Sequence, residues 1–223
     1  ETGVFIYEVP QIASIQAEKK TKKAPVTTKD TSFTYQKAPQ EQPLSKPFSP
    51  SHMDEDDEVA AASPLADSNI FYQRGRLIHK ILELLLGISD KKCQKEVTTA
   101  YLAAQKEVSD KCRADIEKEI FALLDNQDFD FLFCENAKAE VGVMGEVDGQ
   151  IISGQIDRLI VFDDKIVIVD FKTNRPAALT IEQVPPAYIK QLNVYQSLVS
   201  RIYSDKPIET YILWTNTLNL MKI

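Results

Sequence analysis

The segment 138–172 constrains the fold of this chain more than any other feature of its sequence. β-Branched and other apolar residues alternate with polar ones along it, and the alternation is interrupted at Asp148-Gly149 and at Asp163-Asp164. Alternation with a period of two is typical of β-strands, and Asp-Gly is a strong signal for a tight hairpin turn. The segment therefore predicts a three-stranded antiparallel meander.

The two turns also predict which residues of the meander face one another. If each turn is a two-residue loop, counting outwards along the strands places Asp157 opposite Asp170 on one side and opposite Glu140 on the other. Like charges directly opposite one another on neighbouring strands destabilise a sheet unless an opposite charge compensates them. A divalent cation such as Mg²⁺ or Mn²⁺, which prefers oxygen ligands, would do so. The row of acids thus predicts a metal site.

A lysine completes this candidate site. Lys172 follows Asp170 by two residues, so the period of a strand puts both side chains on the same face of the sheet. A lysine beside a metal-bound water orients or deprotonates that water and stabilises charge that develops on a phosphate. The alternative interpretation is that Lys172 serves only as a charge partner for the acids, as in many ion pairs at strand ends.

Helical periodicity precedes and follows the meander. Apolar residues at spacings of three and four predict one helix from Asn69 to a stop at Gly87. Further helices are predicted at roughly 93–107 and 110–125, another is predicted to open at Pro185-Pro186 and run through Ile202, and a last strand is predicted at 209–214. Helices, meander, helix and strand in that order indicate an α/β fold, with a mixed central sheet that contains the meander and is flanked by helices.

The sequence predicts one folded domain preceded by a tether. Seven of the eleven prolines lie before residue 70, among Lys, Ser, Thr and Gln, which is typical of a linker. We therefore expect a Pro-rich tether over 1–68 and the domain over 69–223. The chain begins Glu-Thr-Gly without an initiator methionine or a signal peptide, so we expect a piece of a longer cytoplasmic protein.

Composition excludes several classes of site. The three cysteines lie far apart without a C-x-x-C pair, which argues against zinc and iron–sulfur sites. The chain has no G-x-x-x-x-G-K-[ST] phosphate loop, so we expect no ATP site in it. Apolar runs are too short to span a membrane. The net charge of −7 argues against a broad basic surface for nucleic acid but leaves a local site open.

Four short motifs resemble those of a known family. The segments 154–159 and 168–174 resemble the paired acidic and D-x-K motifs of the PD-(D/E)XK nuclease superfamily. Gly75 to His79 resembles the G-x-x-x-H helix of its RecB-like branch, and Gln191 to Tyr195 resembles the Q-x-x-x-Y helix of that branch. Over roughly 69–223 the sequence is similar to that of the C-terminal nuclease domains of AddA-type helicase-nucleases, which repair double-strand breaks.

The resemblance implies a restriction-endonuclease-like core and assigns roles to single residues. His79, Asp157 and Asp170 would be metal ligands, Lys172 would be catalytic together with the two aspartates, and Glu140 would be an additional acid. Residues that would contact the DNA backbone or support the site are Gln191, Tyr195, Arg158 and Thr173. Without the resemblance, His79 would be interpreted as an ordinary helix histidine and Tyr195 as a packing aromatic.

The function that the resemblance implies is metal-dependent hydrolysis of DNA phosphodiesters by an exonuclease domain. Mg²⁺ or Mn²⁺ would be the cofactor, and DNA single strands or ends would be the substrate. The expected partners are the helicase portion of a parent chain and a second helicase-nuclease subunit, in the bacterial cytoplasm and without a membrane. The alternative is a nuclease fold that has lost catalysis and only holds DNA or a protein partner.

Overall fold

A computed structural model of the chain describes residue 49 and residues 67–223. The predicted tether over 1–68 lies almost wholly outside these residues and stays a prediction. Within the described part, the four α-helices are α1 (Asp67–Leu84), α2 (Lys91–Ala104), α3 (Asp110–Asp125) and α4 (Pro186–Ile202), and 3-10 turns cover Gln127–Phe133 and Ile181–Gln183. The strands are β1 (Ala137–Val147), β2 (Gln150–Val161), β3 (Ile166–Lys172), β4 (Ile208–Trp214) and β5 (Asn219–Lys222).

Local chemistry explains where the helices begin and end. The side chains of Asp90 and Ser109 accept the amide N–H groups of Cys93 and Cys112, which caps the first turns of α2 and α3. Gly87 has a φ of 88°, a left-handed conformation that glycine adopts readily, and it ends the turn after α1 as predicted. These residues set where α2 and α3 begin and where the turn after α1 ends; the three helices pack against one face of the sheet.

The described strands form one mixed sheet in the order β1-β2-β3-β4-β5. β1, β2 and β3 are antiparallel neighbours, so the predicted meander is confirmed. β3 and β4 are parallel and are connected through α4, and β5 runs antiparallel to β4. The α/β prediction with a mixed sheet is confirmed, whereas β5, which is four residues long, was not predicted.

The predicted register is also found. Val147 pairs with Gln150 around the first turn, and the amide of Phe162 donates to the carbonyl of Lys165 around the second, so both loops contain two residues. The ladder between β2 and β3 ends at the pair of Arg158 and Val169, one step before Asp157 and Asp170. The two aspartates therefore lie just beyond the last regular pair.

Strand alternation breaks at the predicted row of acids. Ile156 and Leu159 are three residues apart on β2, yet both belong to the core that packs against α4. On β1, Glu140 has a φ of 51°, in the left-handed region that costs a residue with a side chain energy. The distortion falls where Glu140 and Asp157 face one another, so the strand pair changes the face it presents at the candidate site.

Two separate cores cover the two faces of the sheet. Helices α1 to α3 bury one face, which includes Val169 and Phe171 of β3, and α4 buries the other, which includes Ile168 of β3. Each face of the central strand is thus apolar except near its carboxyl end. Among the described residues, no helix is both long and apolar enough to cross a bilayer.

A glycine on β2 lets the two layers approach closely. A Cβ atom at Gly154 would lie 2.7 Å from Cε1 of Tyr195 on α4, a side chain that is fully buried. At Gly142 on β1, by contrast, a Cβ atom would meet nothing within 4 Å. The absence of a side chain at Gly154 therefore positions Tyr195 under the sheet.

We predict that Gly154→Ala lowers the free energy of unfolding by about 1 to 3 kcal/mol, because the buried ring of Tyr195 has to shift. The matched control Gly142→Ala should change it by less than about 0.5 kcal/mol. Urea unfolding followed by circular dichroism measures both. Equal effects of the two substitutions would contradict the close approach.

Candidate active site

The predicted site residues come together beside the carboxyl end of β3. Asp170 and Lys172 lie on β3, Asp157 on β2, Glu140 on β1 and His79 on α1. All three strands of the meander and helix α1 thus contribute charged groups to one small volume. Residues far apart in sequence meet there because β2 and β3 stop pairing at that point.

Asp157 is the most firmly held of the acids. Its Oδ2 accepts the amide N–H of Phe171 at 2.7 Å, a backbone donor of β3 that lies beyond the last regular pair of the ladder. Its Oδ1 lies 3.3 Å from Nδ1 of His79. One ligand atom from each of His79, Glu140 and Asp157 lies within 4.8 Å of the others. This spacing suits a shared cation.

Asp170 and Lys172 form a second, buried pair. Nζ of Lys172 lies 3.2 Å from Oδ2 of Asp170, and both side chains are about nine-tenths buried. The ammonium also donates to Oε1 of Gln191 at 3.2 Å and lies 3.8 Å from the ring centroid of Tyr188. The predicted charge pairing of Lys172 with an acid therefore exists, and α4 supplies two further contacts that orient the ammonium.

The electrostatics of the site reflect crowded carboxylates in a sheltered place. Burial by itself would lower the pKa of His79, but the neighbouring Asp157, with Asp170 and Glu140 further away, raises this pKa to about 9. Burial opposes ionisation of Asp157, yet the charge of His79 and the hydrogen bonds outweigh it and lower the pKa of Asp157. The metal-free site thus holds a paired imidazolium and carboxylate.

The other two acids shift in the opposite direction. Burial raises the pKa of Asp170 to about 6; the nearby Lys172 ammonium opposes this shift and the Asp157 carboxylate adds to it. Burial and the same carboxylate raise the pKa of Glu140. A positive charge placed near Asp170 and Glu140 would therefore stabilise their ionised forms. An imidazole nitrogen and several carboxylate oxygens form a donor set that fits a hard divalent cation such as Mg²⁺ or Mn²⁺.

The predicted residues of α4 lie beneath the site. Gln191 and Tyr195 are buried, and Nε2 of Gln191 lies 3.4 Å from the hydroxyl of Tyr195. Through Oε1 of Gln191 the pair reaches Lys172. This placement favours support of the site over contact with the DNA backbone, and Tyr195 is at the same time the packing aromatic of the alternative interpretation.

Arg158 lies on the other face of the sheet. It is fully buried and donates to the carbonyl of Leu82 at 2.7 Å. Its guanidinium carbon lies 5.5 Å from the ring centroid of Phe133 and 5.6 Å from that of Phe171. Burial lowers the pKa of Arg158 to about 10. A contact of Arg158 with DNA would require the side chain to leave this core, so of its two predicted roles only structural support agrees with its position.

A partly buried charge cluster that sequence reasoning missed holds the loop after β3. Arg74 on α1 forms an ion pair with Glu119 on α3 and donates to the carbonyl of Thr173 at 3.2 Å. Arg175 pairs with Glu119 and with Asp115, each at 2.9 Å. Thr173, predicted to contact DNA or support the site, is thus tied through its backbone. Arg74 directly precedes Gly75 of the helix motif, a signal that could have directed attention to it.

A comparison with known families agrees with the geometry. The sequence profile of the PD-(D/E)XK nuclease superfamily matches residues 56–216, most of the chain. The mixed sheet, with acids and a lysine beside the carboxyl end of β3, is consistent with the fold of this class of nucleases. The chain belongs to the PD-(D/E)XK nuclease superfamily.

Comparisons with single proteins are more distant. Among curated proteins, no sequence matches. A crystal structure of a candidate exonuclease from Eubacterium rectale is similar with a TM-score of 0.40 and 17% identity, over 53% of this chain and 48% of that one. The structure of SSO0001 is similar with a TM-score of 0.29 and 16% identity, over 51% and 59% of the two chains. The chain thus spans about half the length of these two proteins.

We predict that His79 titrates with a pKa of about 9 in EDTA and that Asp157→Asn moves this pKa towards the ordinary value of about 6.5. Since the folded-state pKa lies above the unfolded one, the interaction stabilises the metal-free fold fully below pH about 6.5 and is lost as the pH rises through about 9. The chain has two histidines, so NMR resolves both, and the second serves as an internal control. If the pKa of His79 is the same in the Asp157→Asn variant, the pairing of His79 with Asp157 is contradicted.

Proposed function

We propose that this chain is a divalent-metal-dependent deoxyribonuclease that hydrolyses phosphodiester bonds at the site of Asp157, Asp170 and Lys172. The observation that carries the proposal is the convergence of three acids and an ammonium from three strands beside the carboxyl end of β3, in a member of a nuclease superfamily. Without a counter-ion, acids so close together would destabilise the sheet.

The metal would be held by His79, Asp157 and Asp170, with Glu140 as an additional acid. Support comes from the 4.8 Å grouping of His79, Asp157 and Glu140 and from the raised pKa values of Asp170 and Glu140. Bound there, Mg²⁺ or Mn²⁺ would act as a Lewis acid on the phosphate. In the fully bound state Nδ1 of His79 would have to be neutral, because a protonated imidazole nitrogen is not a ligand.

Lys172 would orient the attacking water and stabilise the charge that develops on the phosphate. Its ammonium is fixed by Asp170, Gln191 and Tyr188, so it does not have to be ordered again during the reaction. Nζ of Lys172 lies 3.2 Å from Oδ2 of Asp170, and an ammonium held in this way is suited to orientation and electrostatic stabilisation.

We further propose, from the sequence similarity to AddA-type proteins, that the chain acts as an exonuclease on single strands or ends during double-strand break repair. A helicase portion of a parent chain and a second helicase-nuclease subunit would deliver the strand, in the bacterial cytoplasm. Residues 1–68 would be the tether to that machinery. Deleting them should weaken complex formation and leave cleavage by the remaining chain intact; unchanged complex formation would remove the tether from the proposal.

We predict that Asp170→Asn and Lys172→Met each lower the rate of cleavage of labelled single-stranded DNA by about 100- to 1000-fold or more, because each removes a group that acts on the reacting phosphate or its cation. The matched control is Lys165→Met at the other end of β3, whose ammonium pairs with Glu209 at 2.8 Å and should leave the rate unchanged. Circular dichroism checks that all variants fold. Full activity in either site variant would refute the assignment.

A second prediction concerns the metal and the ends of the substrate. Mg²⁺ or Mn²⁺ should support cleavage of linear single strands, EDTA should abolish it, and circular single strands should resist an enzyme that needs an end. Gel electrophoresis of both substrates measures this. Cleavage in EDTA would contradict the metal mechanism, cleavage of circles would contradict the exonuclease proposal, and binding without products would favour the catalytically inactive module.

A further inference from the structure

The charge cluster at the loop after β3 has a buried half and an accessible half. Arg74 and Glu119 form the buried half, since their side chains are 7% and 5% exposed. Arg175 and Asp115 form the accessible half, with side chains 38% and 44% exposed and 2.9 Å between Nη2 of Arg175 and Oδ2 of Asp115. Part of the cluster therefore faces solvent in the loop that directly follows Lys172.

The accessible half of the cluster contributes little to holding the loop. Arg74 already binds the loop, because its Nη1 donates to the carbonyl of Thr173 at 3.2 Å. Ion pairs that are open to solvent usually add little to the stability of a fold. The stability of the loop alone therefore gives little reason for a guanidinium at position 175.

The contacts of Arg175 leave part of its guanidinium available. Nη2 lies 2.9 Å from a carboxylate oxygen of Asp115 and 2.9 Å from one of Glu119, whereas Nε and Nη1 make no hydrogen bond or ion pair within residues 67–223. Arg175 also lines a cavity of about 540 Å³ between the loop after β3, the start of α4 and the end of β4. The two acids thus fix one nitrogen of a side chain that borders open space.

Arg175 lies close to the candidate catalytic lysine, and the backbone between them is held. Arg175 follows Lys172 by three residues, so their Cα atoms are at most about 11 Å apart. A stacked strand rises about 3.4 Å with each nucleotide, so two or three nucleotides cover this distance. The carbonyl of Lys172 accepts the amide N–H and the hydroxyl of Thr215 at 3.1 and 3.3 Å, and Arg74 binds the carbonyl of Thr173. The spacing between the lysine and the arginine is therefore set before DNA binds.

We propose that Arg175 binds a phosphodiester of the DNA strand one to three linkages away from the one that is cleaved, and that Asp115 and Glu119 hold the guanidinium in place for it. The site depends on the proposed nuclease function and adds to it a second phosphate contact. An arginine suits this role, because its several N–H donors bind a phosphate while part of the group remains paired. Such a local cation also lets a chain with a net charge of −7 hold a polyanion.

The first test measures binding without cleavage. Fluorescence anisotropy follows labelled oligothymidylate in Ca²⁺, and a gel checks that the strand stays intact. We expect Arg175→Gln to weaken binding about 3- to 10-fold at about 0.1 M salt and to lower the slope of log affinity against log salt by about 0.7, the loss of one phosphate contact on a single strand. The matched control Arg201→Gln, which removes the same charge from the exposed last turn of α4, should change the affinity and the slope little.

A second pair of variants tests the role of the acid. Asp115→Asn removes a charge that competes with DNA for Arg175, so we expect binding about 2- to 3-fold tighter, in keeping with a partly exposed ion pair. This gain should vanish when Arg175→Gln is also present, because the two residues act as one unit. The control is Asp110→Asn, also on α3 but 94% exposed and paired with Arg113, which should leave the affinity unchanged. If Asp115→Asn and Arg175→Gln change binding in the same direction, the cluster is structural and the phosphate site is refuted.

Methylphosphonate linkages, which carry no charge, locate the phosphate along the strand. One such linkage is placed at each position in turn, and cleavage in Mg²⁺ is measured at every neighbouring linkage. We expect cleavage to slow about 3- to 10-fold when the neutral linkage lies one to three positions from the cleaved one, and we expect no such slowing in Arg175→Gln. Equal slowing in the unchanged chain and in the variant would overturn the proposal.

These outcomes are separable from those of the proposed function, because binding in Ca²⁺ does not require cleavage. Weaker binding by Arg175→Gln, together with loss of the gain from Asp115→Asn, supports the phosphate site even if no metal cleaves DNA. Normal binding and normal cleavage by Arg175→Gln would overturn the phosphate site and leave the nuclease proposal standing.

Discussion

Where the ladder between β2 and β3 ends, the carboxylate of Asp157 accepts the amide N–H of Phe171 at 2.7 Å. The side chain of Asp157 on β2 thus binds a backbone donor at the carboxyl end of β3. The opening leaves Asp170 and Lys172 of β3 clustered with it, and it brings His79 of α1 into contact. The candidate site depends on this one interaction.

The surrounding layers determine how so much charge is tolerated. Three acids lie in a sheltered place, and the charges of His79 and Lys172 balance two of them in the metal-free protein. Helix α1 supplies the histidine on one face, and α4 fixes the ammonium from the other through Gln191 and Tyr188. Both helices are held by large apolar cores, so the charged groups have little freedom to separate.

Much of the sheet and of the site was predictable from local patterns. Strand alternation and two short turns give the meander and its register, and this register is what places Asp157 between Glu140 and Asp170. The last strand, β5, was not predicted, because a segment of four residues is too short to show a clear strand period. The orientation of Arg158 was not predicted, because a charged residue next to a candidate ligand is expected to face the site. Its actual position against Phe133 depends on a turn that is distant in sequence.

The strand order of the meander, the residues that face one another and the kind of chemistry that such residues support follow from the sequence, because they depend on turn length and on a period of two. Packing in three dimensions sets which acids group with His79, how Arg74 and Glu119 hold the loop after Lys172, and that a cavity lies beside Tyr188. These contacts join residues from separate helices and strands, and their distances follow from how layers pack, which no local pattern encodes.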